Sequence, residues 1–157
     1  MRQEMIAPFL QSTQNMIEQM SGITVTADGG FYEEQSELVS LGLATLVSFA
    51  GKVKGRLLID MEPSLAVAFA KAVNDENYTS DREFMVLMSA GELNNIVAGD
   101  ANTLINNQFQ LDLRLAPPVI ISGVGSIIRI PKISSMSANL MTLQGKLKVN
   151  IAFEGSL

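Results

Sequence analysis

The chain contains no cysteine and no histidine among its 157 residues. Without these residues it cannot form a disulfide or a zinc site built from thiolate and imidazole ligands. The missing histidine also excludes the usual catalytic triads, in which an imidazole accepts the proton of the nucleophile. Any chemistry must therefore use carboxylates, amides, hydroxyls, lysine or arginine, or groups that a partner supplies.

Charge is also scarce, because charged residues make up 17% of the chain and the formal net charge is −5. A nucleic-acid binder needs a basic stripe that meets the phosphates. The longest basic run is the short Lys52-Val-Lys-Gly-Arg56, which is more typical of an exposed strand face. We therefore expect no nucleic-acid partner.

Long apolar runs are missing as well. The longest, Leu38–Ala50, is interrupted by Ser40, Thr45 and Ser48 and is too short to span a bilayer. Charged residues flank the short apolar patch at the N-terminus, which is unlike the apolar region of a signal peptide. The expectation is a cytoplasmic protein with no membrane contact, whose 47% hydrophobic content is ample for a core.

The two halves of the chain have a similar order of predicted elements. Each begins with a helix, continues through extended segments and ends in an antiparallel hairpin. The predicted helices cover 7–21 and about 81–106, and the predicted hairpins cover 38–61 and 136–153. We expect one domain over 1–157, built from two related units at about 7–74 and 80–154. Chance similarity between short hairpins that follow a glycine is the alternative.

Local signals place two further boundaries. The polar stretch 27–37, with Asp28-Gly-Gly30 as a turn signal, is interpreted as a loop. Ser80 and Glu83 have the spacing of a capping box. We therefore expect the long helix to begin at Asp81.

A narrow polar stripe follows this predicted long helix. At 100° per residue, one face carries Glu92, Asn95, Gly99 and Asn102. The simplest interpretation is the solvated face of an amphipathic helix. Two features favour a site instead. Glu92 is the only charged residue of the stripe, and Gly91 and Gly99 each cost the helix about 1 kcal/mol relative to alanine.

The residue types of the stripe limit what it can do. The amide of Asn95 is no general base, but it can hold a water by donating and accepting hydrogen bonds. Glu92 can act as a base or as a docking anion for a lysine. With no metal ligands in evidence, the pair suits a reaction in which a partner brings the metal and the activated bond. This chain would then only orient the water.

The stripe is followed at a fixed interval by a proline, since 22 residues separate Asn95 from Pro118. This arrangement resembles the E-x-x-N-x22-P signature of the CheC/CheX/FliY family of chemotaxis phosphatases. One signature in the second helix, with a degenerate first copy, is most similar to CheX. In the first copy Ser12 falls opposite Glu92 and Asn15 opposite Asn95, so we expect one half-site per chain.

The resemblance implies an α+β fold, with an antiparallel sheet that carries the long helices on its surface. It implies hydrolysis of the aspartyl phosphate of a phosphorylated CheY-like receiver domain. Asn95 would align the attacking water, and Glu92 would pair with the regulator's active-site lysine. The regulator would supply Mg²⁺, and the chain would have no cofactor and no metal of its own. It also implies a homodimer, for which 136–143 is a candidate edge strand.

Further positions complete the expected site. Ser89, Gly99 and Asn102 are expected on the partner-binding surface, and Pro118 is expected to shape the strand bend that follows it. Met88 stands where the family signature often has Asp or Ser. A non-catalytic adaptor of the same fold, in chemotaxis or a flagellar switch, is the open alternative. A ligand-binding or purely structural domain is a third.

Overall fold

The computed structural model describes residues 3–34, 37–129 and 134–154. In chain order its elements are α1 (Gln3–Ser21), β1 (Thr26–Glu33), β2 (Glu37–Val39), β3 (Leu43–Ala50), β4 (Lys54–Met61), α2 (Pro63–Asn74), α3 (Phe84–Phe109), β5 (Arg114–Leu115), β6 (Val119–Ser122), β7 (Ile127–Arg129), β8 (Ser135–Thr142) and β9 (Gly145–Glu154).

One antiparallel sheet organises the described part of the chain. Its strand order is β1-β8-β9-β4-β3-β5, and β6 also pairs with β3. The hairpins β3–β4 and β8–β9 pair in antiparallel register along their whole length. Both predicted hairpins are therefore confirmed, and so is an α+β fold with an antiparallel sheet.

The helices pack on one face of this sheet, because alternate strand residues point to that face. Phe9 of α1 stacks on Phe49 of β3, with ring centroids 5.6 Å apart. Phe153 of β9 meets the same two rings edge-on, at 6.2 Å and 5.7 Å. Such aromatic contacts hold α1 against the centre of the sheet.

The opposite face of the sheet is partly covered by the two-stranded sheet of β2 and β7. Leu38 and Ile128 of those strands pack on Leu58 of β4. Nearby, the buried carboxylate of Asp60 accepts hydrogen bonds from the Ser40 hydroxyl at 2.9 Å and the Leu41 N–H at 2.8 Å. Burial raises the pKa of Asp60 above its ordinary value, although these hydrogen bonds oppose the rise.

Three sequence-based predictions about the strands were wrong. The stretch 27–37 is largely strand β1, whose residues are mostly exposed and so lack the alternating apolar pattern of a half-buried strand. The segment 38–50 is two strands in different sheets, separated near Gly42. The region 136–143 is not an edge, because β1 pairs with β8 on its outer side. The duplication of the two halves stays a prediction.

The long helix begins at Phe84 instead of Asp81, with Glu83 as its N-cap. The carboxylate of Glu83 turns back and accepts hydrogen bonds from the N–H groups of Thr79 and Ser80, at 2.6 Å and 3.1 Å. One arm of the predicted capping box therefore forms. It closes a turn ahead of the helix, and this turn moves the helix start by three positions.

Candidate functional site

Asn94 fixes how α3 lies on the sheet. Its side chain is completely buried. Its Nδ2 donates to the carbonyl oxygen of Thr45 at 2.9 Å and to that of Leu57 at 3.1 Å. These acceptors belong to β3 and β4, so one amide ties the middle of α3 to two adjacent strands. The sequence offers one signal for this role, which is that Asn94 falls in the apolar sector with Leu93 and Val97.

The next asparagine points the other way. Because successive residues differ by about 100° around a helix, the buried Asn94 turns Asn95 and Glu92 outward. Glu92 is exposed and Asn95 is half-buried. Neither side chain makes a hydrogen bond or an ion pair with any residue that the structure describes. A carboxylate and an amide are therefore available together on one turn of the helix.

The connection between β5 and β6 borders this turn. A Cβ built on Gly91 would lie 3.6 Å from Cγ of Pro118 and 3.5 Å from Cδ1 of Ile120. A Cβ built on Gly99 would lie 3.6 Å from Cδ1 of Leu115. All three are ordinary van der Waals distances. The fold therefore does not need a glycine at either position for space, and Pro118 lies directly beside the start of the Glu92–Asn95 turn.

Two residues expected on the partner-binding surface are buried instead. Ser89 donates to the carbonyl of Met85 at 2.7 Å and accepts from Nδ2 of Asn74 at 2.8 Å. Asn102 is only 3% exposed, and neither atom of its amide has a hydrogen-bond partner among the residues that the structure describes. Ser89 and Asn102 are therefore not available to a docking protein, whereas Gly99 is half-exposed.

The return of the chain after α3 is fixed one helical turn beyond Asn102. The chain turns back after α3 and runs along the same side of the helix. Asn106 holds this return, because it donates to the carbonyl of Leu113 at 3.1 Å and accepts from its N–H at 2.8 Å. The polar stripe is buried at Asn102 and is accessible around Glu92, Asn95 and Gly99.

The N-terminal end of the open stripe is apolar. Phe84, Met85 and Met88 are 69%, 43% and 40% exposed. Met88 lies one turn before Glu92, so an exposed thioether stands where the family signature often has a polar side chain. The outward side of this part of α3 is thus an apolar area beside the carboxylate of Glu92 and the amide of Asn95.

The predicted counterpart on α1 has no comparable surface. Ser12 is buried and donates to Oδ2 of Asp100 at 2.8 Å. Asn15 is exposed, but no acidic residue accompanies it one turn earlier. Among the described residues, no group of three or more acidic side chains is placed to hold a metal ion.

The fold is that of a CheC-like protein. The CheC-like superfamily protein from Shewanella sp. PV-4 matches with a TM-score of 0.89 and 25% identity, over 99% of this chain and 100% of that chain. A family model described as chemotaxis phosphatase CheX matches residues 43–142, which include Glu92, Asn95 and Pro118. The chain belongs to the CheX family of chemotaxis phosphatases.

Two further solved structures are similar. CheX of Borrelia burgdorferi, in a complex with CheY, BeF₃ and Mg²⁺, has a TM-score of 0.80 and 26% identity, over 98% of this chain and 100% of that chain. CheX of Vibrio vulnificus has the same fold, with a TM-score of 0.87 and 23% identity, over 96% of this chain and 99% of that chain. A comparison with curated proteins gives no match.

Within 3–34, 37–129 and 134–154, no helix combines the length and the apolar character needed to cross a bilayer.

Proposed function

We propose that this chain hydrolyses the aspartyl phosphate of a CheY-like response regulator. The observation that carries the proposal is the outward pair on α3, in which Glu92 and Asn95 have no partner among the described residues. Membership of the CheX family supports the reaction class. The complex of Borrelia burgdorferi CheX with CheY supports the partner class.

In this proposal Asn95 orients the attacking water. Its amide oxygen accepts a hydrogen bond from the water, and its NH₂ group donates to a neighbouring oxygen. Because the amide cannot take the proton, that proton passes to a phosphoryl oxygen or to solvent. Asn95 is half-buried, and its side chain has no partner in the described part of the chain. It is therefore available to the regulator while the helix restricts its motion.

The reaction needs no covalent step on a side chain of this protein. The water oxygen bonds to phosphorus as the bond between phosphorus and the aspartyl oxygen breaks, and the carboxylate leaves with the electron pair. Inorganic phosphate and the free aspartate are the products. Phosphoryl transfer depends mainly on positioning and charge stabilisation. This requirement fits a protein without histidine or cysteine, and the Mg²⁺ would be held by the regulator.

Glu92 docks the regulator in this proposal. Its exposed carboxylate would pair with the regulator's active-site lysine, which gives a charge-assisted hydrogen bond and fixes the register of the two proteins. The exposed side chains of Met85 and Met88 extend the contact, since flexible thioethers adapt well to a partner's surface. Gly99, one turn after Asn95, lets the partner's backbone come close.

A homodimer belongs to the same proposal. Pairing through a sheet edge would use β1 or the β5–β6 side, because these strands end the order of the described sheet. The single-domain organisation and the two related units remain part of the proposal too, as does a cytoplasmic location.

The proposal is tested with a panel of phosphorylated receiver domains. Accelerated release of inorganic phosphate from at least one of them supports it. Binding of a phosphorylated receiver without acceleration would instead identify the adaptor alternative. If no receiver is bound or dephosphorylated, the proposal is wrong.

The role of Glu92 is tested through affinity. Glu92→Lys places a cation opposite the regulator's lysine, so the dissociation constant should rise about tenfold or more, as expected for truncating and reversing a docking charge. Glu76→Lys makes the same charge change on an exposed residue after α2 and is the matched control. Equal effects of the two substitutions would remove Glu92 from the docking surface.

A further inference from the structure

An apolar row extends the stripe of Glu92 and Asn95 toward the start of α3. At about 100° per residue, Phe84, Met88, Glu92 and Asn95 fall within about 80° of one another around the helix. Phe84 and Met88 are both exposed. Two large apolar side chains, here called the Phe84–Met88 row, therefore share one outward surface with the carboxylate and the amide.

The Phe84–Met88 row is unusual for the outer side of a helix. Leu87 lies between the two residues in sequence and packs against the apolar core, whereas Phe84 and Met88 remain 69% and 40% exposed. Outward helix positions are ordinarily polar. Exposed apolar side chains that cluster together are typical of an interaction surface, so the row favours a contact with another protein.

Charge limits which kind of surface can cover this row. Glu92 is the only charged residue between Phe84 and Gly99. A matching surface therefore presents an apolar side chain close to a single cation. A second copy of the same stripe does not match, because it brings another carboxylate and has no basic residue from 84 to 99. The row thus fits a different protein that carries a lysine or an arginine beside an apolar side chain.

We propose that Phe84 and Met88 select the response regulator, because they pack on an apolar side chain of its receiver domain beside the phosphorylation site. This inference rests on the proposed function, in which Glu92 pairs with the regulator's active-site lysine. The helical rise places Met88 about 6 Å and Phe84 about 12 Å along α3 from Glu92. The apolar side chain of the receiver should therefore lie about 6–12 Å from its lysine.

The two side chains select by polarity. Phe84 offers a large rigid ring, and Met88 offers a flexible thioether that adapts to the shape of its partner. A charged side chain of the receiver at this place would lose its water without gaining a hydrogen-bond partner, which is unfavourable. Receivers with an apolar side chain there should therefore bind more tightly than receivers with a charged one.

The test measures the affinity of the full chain for receiver domains loaded with Mg²⁺ and BeF₃, a stable substitute for the phosphoryl group. Phosphate release is followed separately with the phosphorylated receivers. The panel contains receivers with an apolar side chain and receivers with a charged side chain at about 6–12 Å from the active-site lysine. The wild type should bind the apolar group at least about tenfold more tightly. Equal affinities for the two groups would overturn the inference.

Variants assign the selection to the Phe84–Met88 row. The double variant with Phe84→Gln and Met88→Gln keeps good helix formers at exposed positions. It should raise the Kd for the apolar group about tenfold and reduce the preference to about threefold or less. Met88→Leu keeps an apolar side chain and should keep the preference. Leu104→Gln is the matched control, because Leu104 is 51% exposed on the opposite side of α3, and it should leave the affinity unchanged.

The outcomes separate this inference from the proposed function. If no receiver of the panel binds, both are overturned. If the wild type dephosphorylates receivers but the double variant keeps its affinity, or if Leu104→Gln loses as much, only the role of the Phe84–Met88 row is refuted. Binding that depends on the row without phosphate release supports the row and refutes hydrolysis alone. A changed oligomeric state of the double variant in sedimentation would show that the row joins two copies of this chain, which overturns the inference.

Discussion

Pro118 lies against the turn of α3 where Gly91 precedes Glu92, with its Cγ 3.6 Å from the position that a Cβ on Gly91 would occupy. The two ends of the E-x-x-N-x22-P signature are therefore neighbours in space. The intervening 22 residues complete α3, reverse direction and return along the helix. The proline consequently borders the same turn that presents Glu92 and Asn95.

Pro118 should matter more than the proline beside it. Pro118→Ala and Pro117→Ala both raise the conformational entropy of the unfolded chain. Each substitution should lower the free energy of unfolding by about 0.4–1 kcal/mol for this reason. Only Pro118 is half-buried, so its substitution should lower the free energy of unfolding by about 1 kcal/mol more than that of the exposed Pro117. Urea titrations of the two variants measure the difference, and equal losses would contradict the packing role.

Gly99 should be replaceable for the fold but not for the function. A Cβ at position 99 has ordinary contacts, so Gly99→Ala should stabilise the chain by up to about 1 kcal/mol through helix propensity. The same methyl group would hold the regulator away from α3 and slow dephosphorylation. Gly91→Ala is the matched control, because its Cβ would face Pro118 and Ile120 inside the protein. Comparable rates for the two stabilised variants would show that no close approach occurs at Gly99.

Asn94 and Asn95 should separate stability from activity. Asn94→Ala removes the hydrogen bonds to Thr45 and Leu57 and leaves a small cavity. It should therefore lower the free energy of unfolding by about 2–3 kcal/mol. Asn95→Ala removes no hydrogen bond to a described residue. It should change the free energy of unfolding by about 0.5 kcal/mol or less. Chemical denaturation checks both values, and a large loss for Asn95→Ala would give that residue a structural role.

Asp60 should make stability depend on pH. Burial raises its pKa in the folded state, so the folded protein keeps a proton that the unfolded chain has already lost. The stabilisation that protonated Asp60 gives the folded state is therefore complete below the unfolded pKa of about 3.9. It is lost as the pH rises through the pKa of Asp60 in the folded protein. The difference in unfolding free energy between wild type and Asp60→Asn should fall over that interval. A difference that stays constant from about pH 4 to neutrality would contradict the shift.

The sequence predicted the elements whose signals are local. The hairpins were recognisable because their strands are apolar and end at turn residues, and the outward stripe of Glu92 and Asn95 followed from helical periodicity. Strand β1 was missed because it owes its place to pairing with β8 and carries mostly exposed residues.

The sequence also could not separate neighbouring amides by role. Asn94 and Asn95 are the same residue type and differ in the side of α3 on which they lie. The carbonyl acceptors on β3 and β4 place Asn94 on the side that faces the sheet. Asn102 shares the angular sector of Asn95 but is buried, and the chain returns beside the same end of the helix, where Asn106 bonds to Leu113. These outcomes depend on contacts between distant parts of the chain, which helical periodicity does not contain.

The central claim is that Asn95 orients the water that cleaves the aspartyl phosphate. The direct measurement is the single-turnover rate of phosphate release from a phosphorylated receiver domain that is saturated with this protein. Asn95→Ala should return the rate to that of the receiver alone while the receiver still binds. Asn107→Ala, an exposed asparagine on another side of the same helix, should keep the wild-type rate. A wild-type rate in Asn95→Ala would contradict the account.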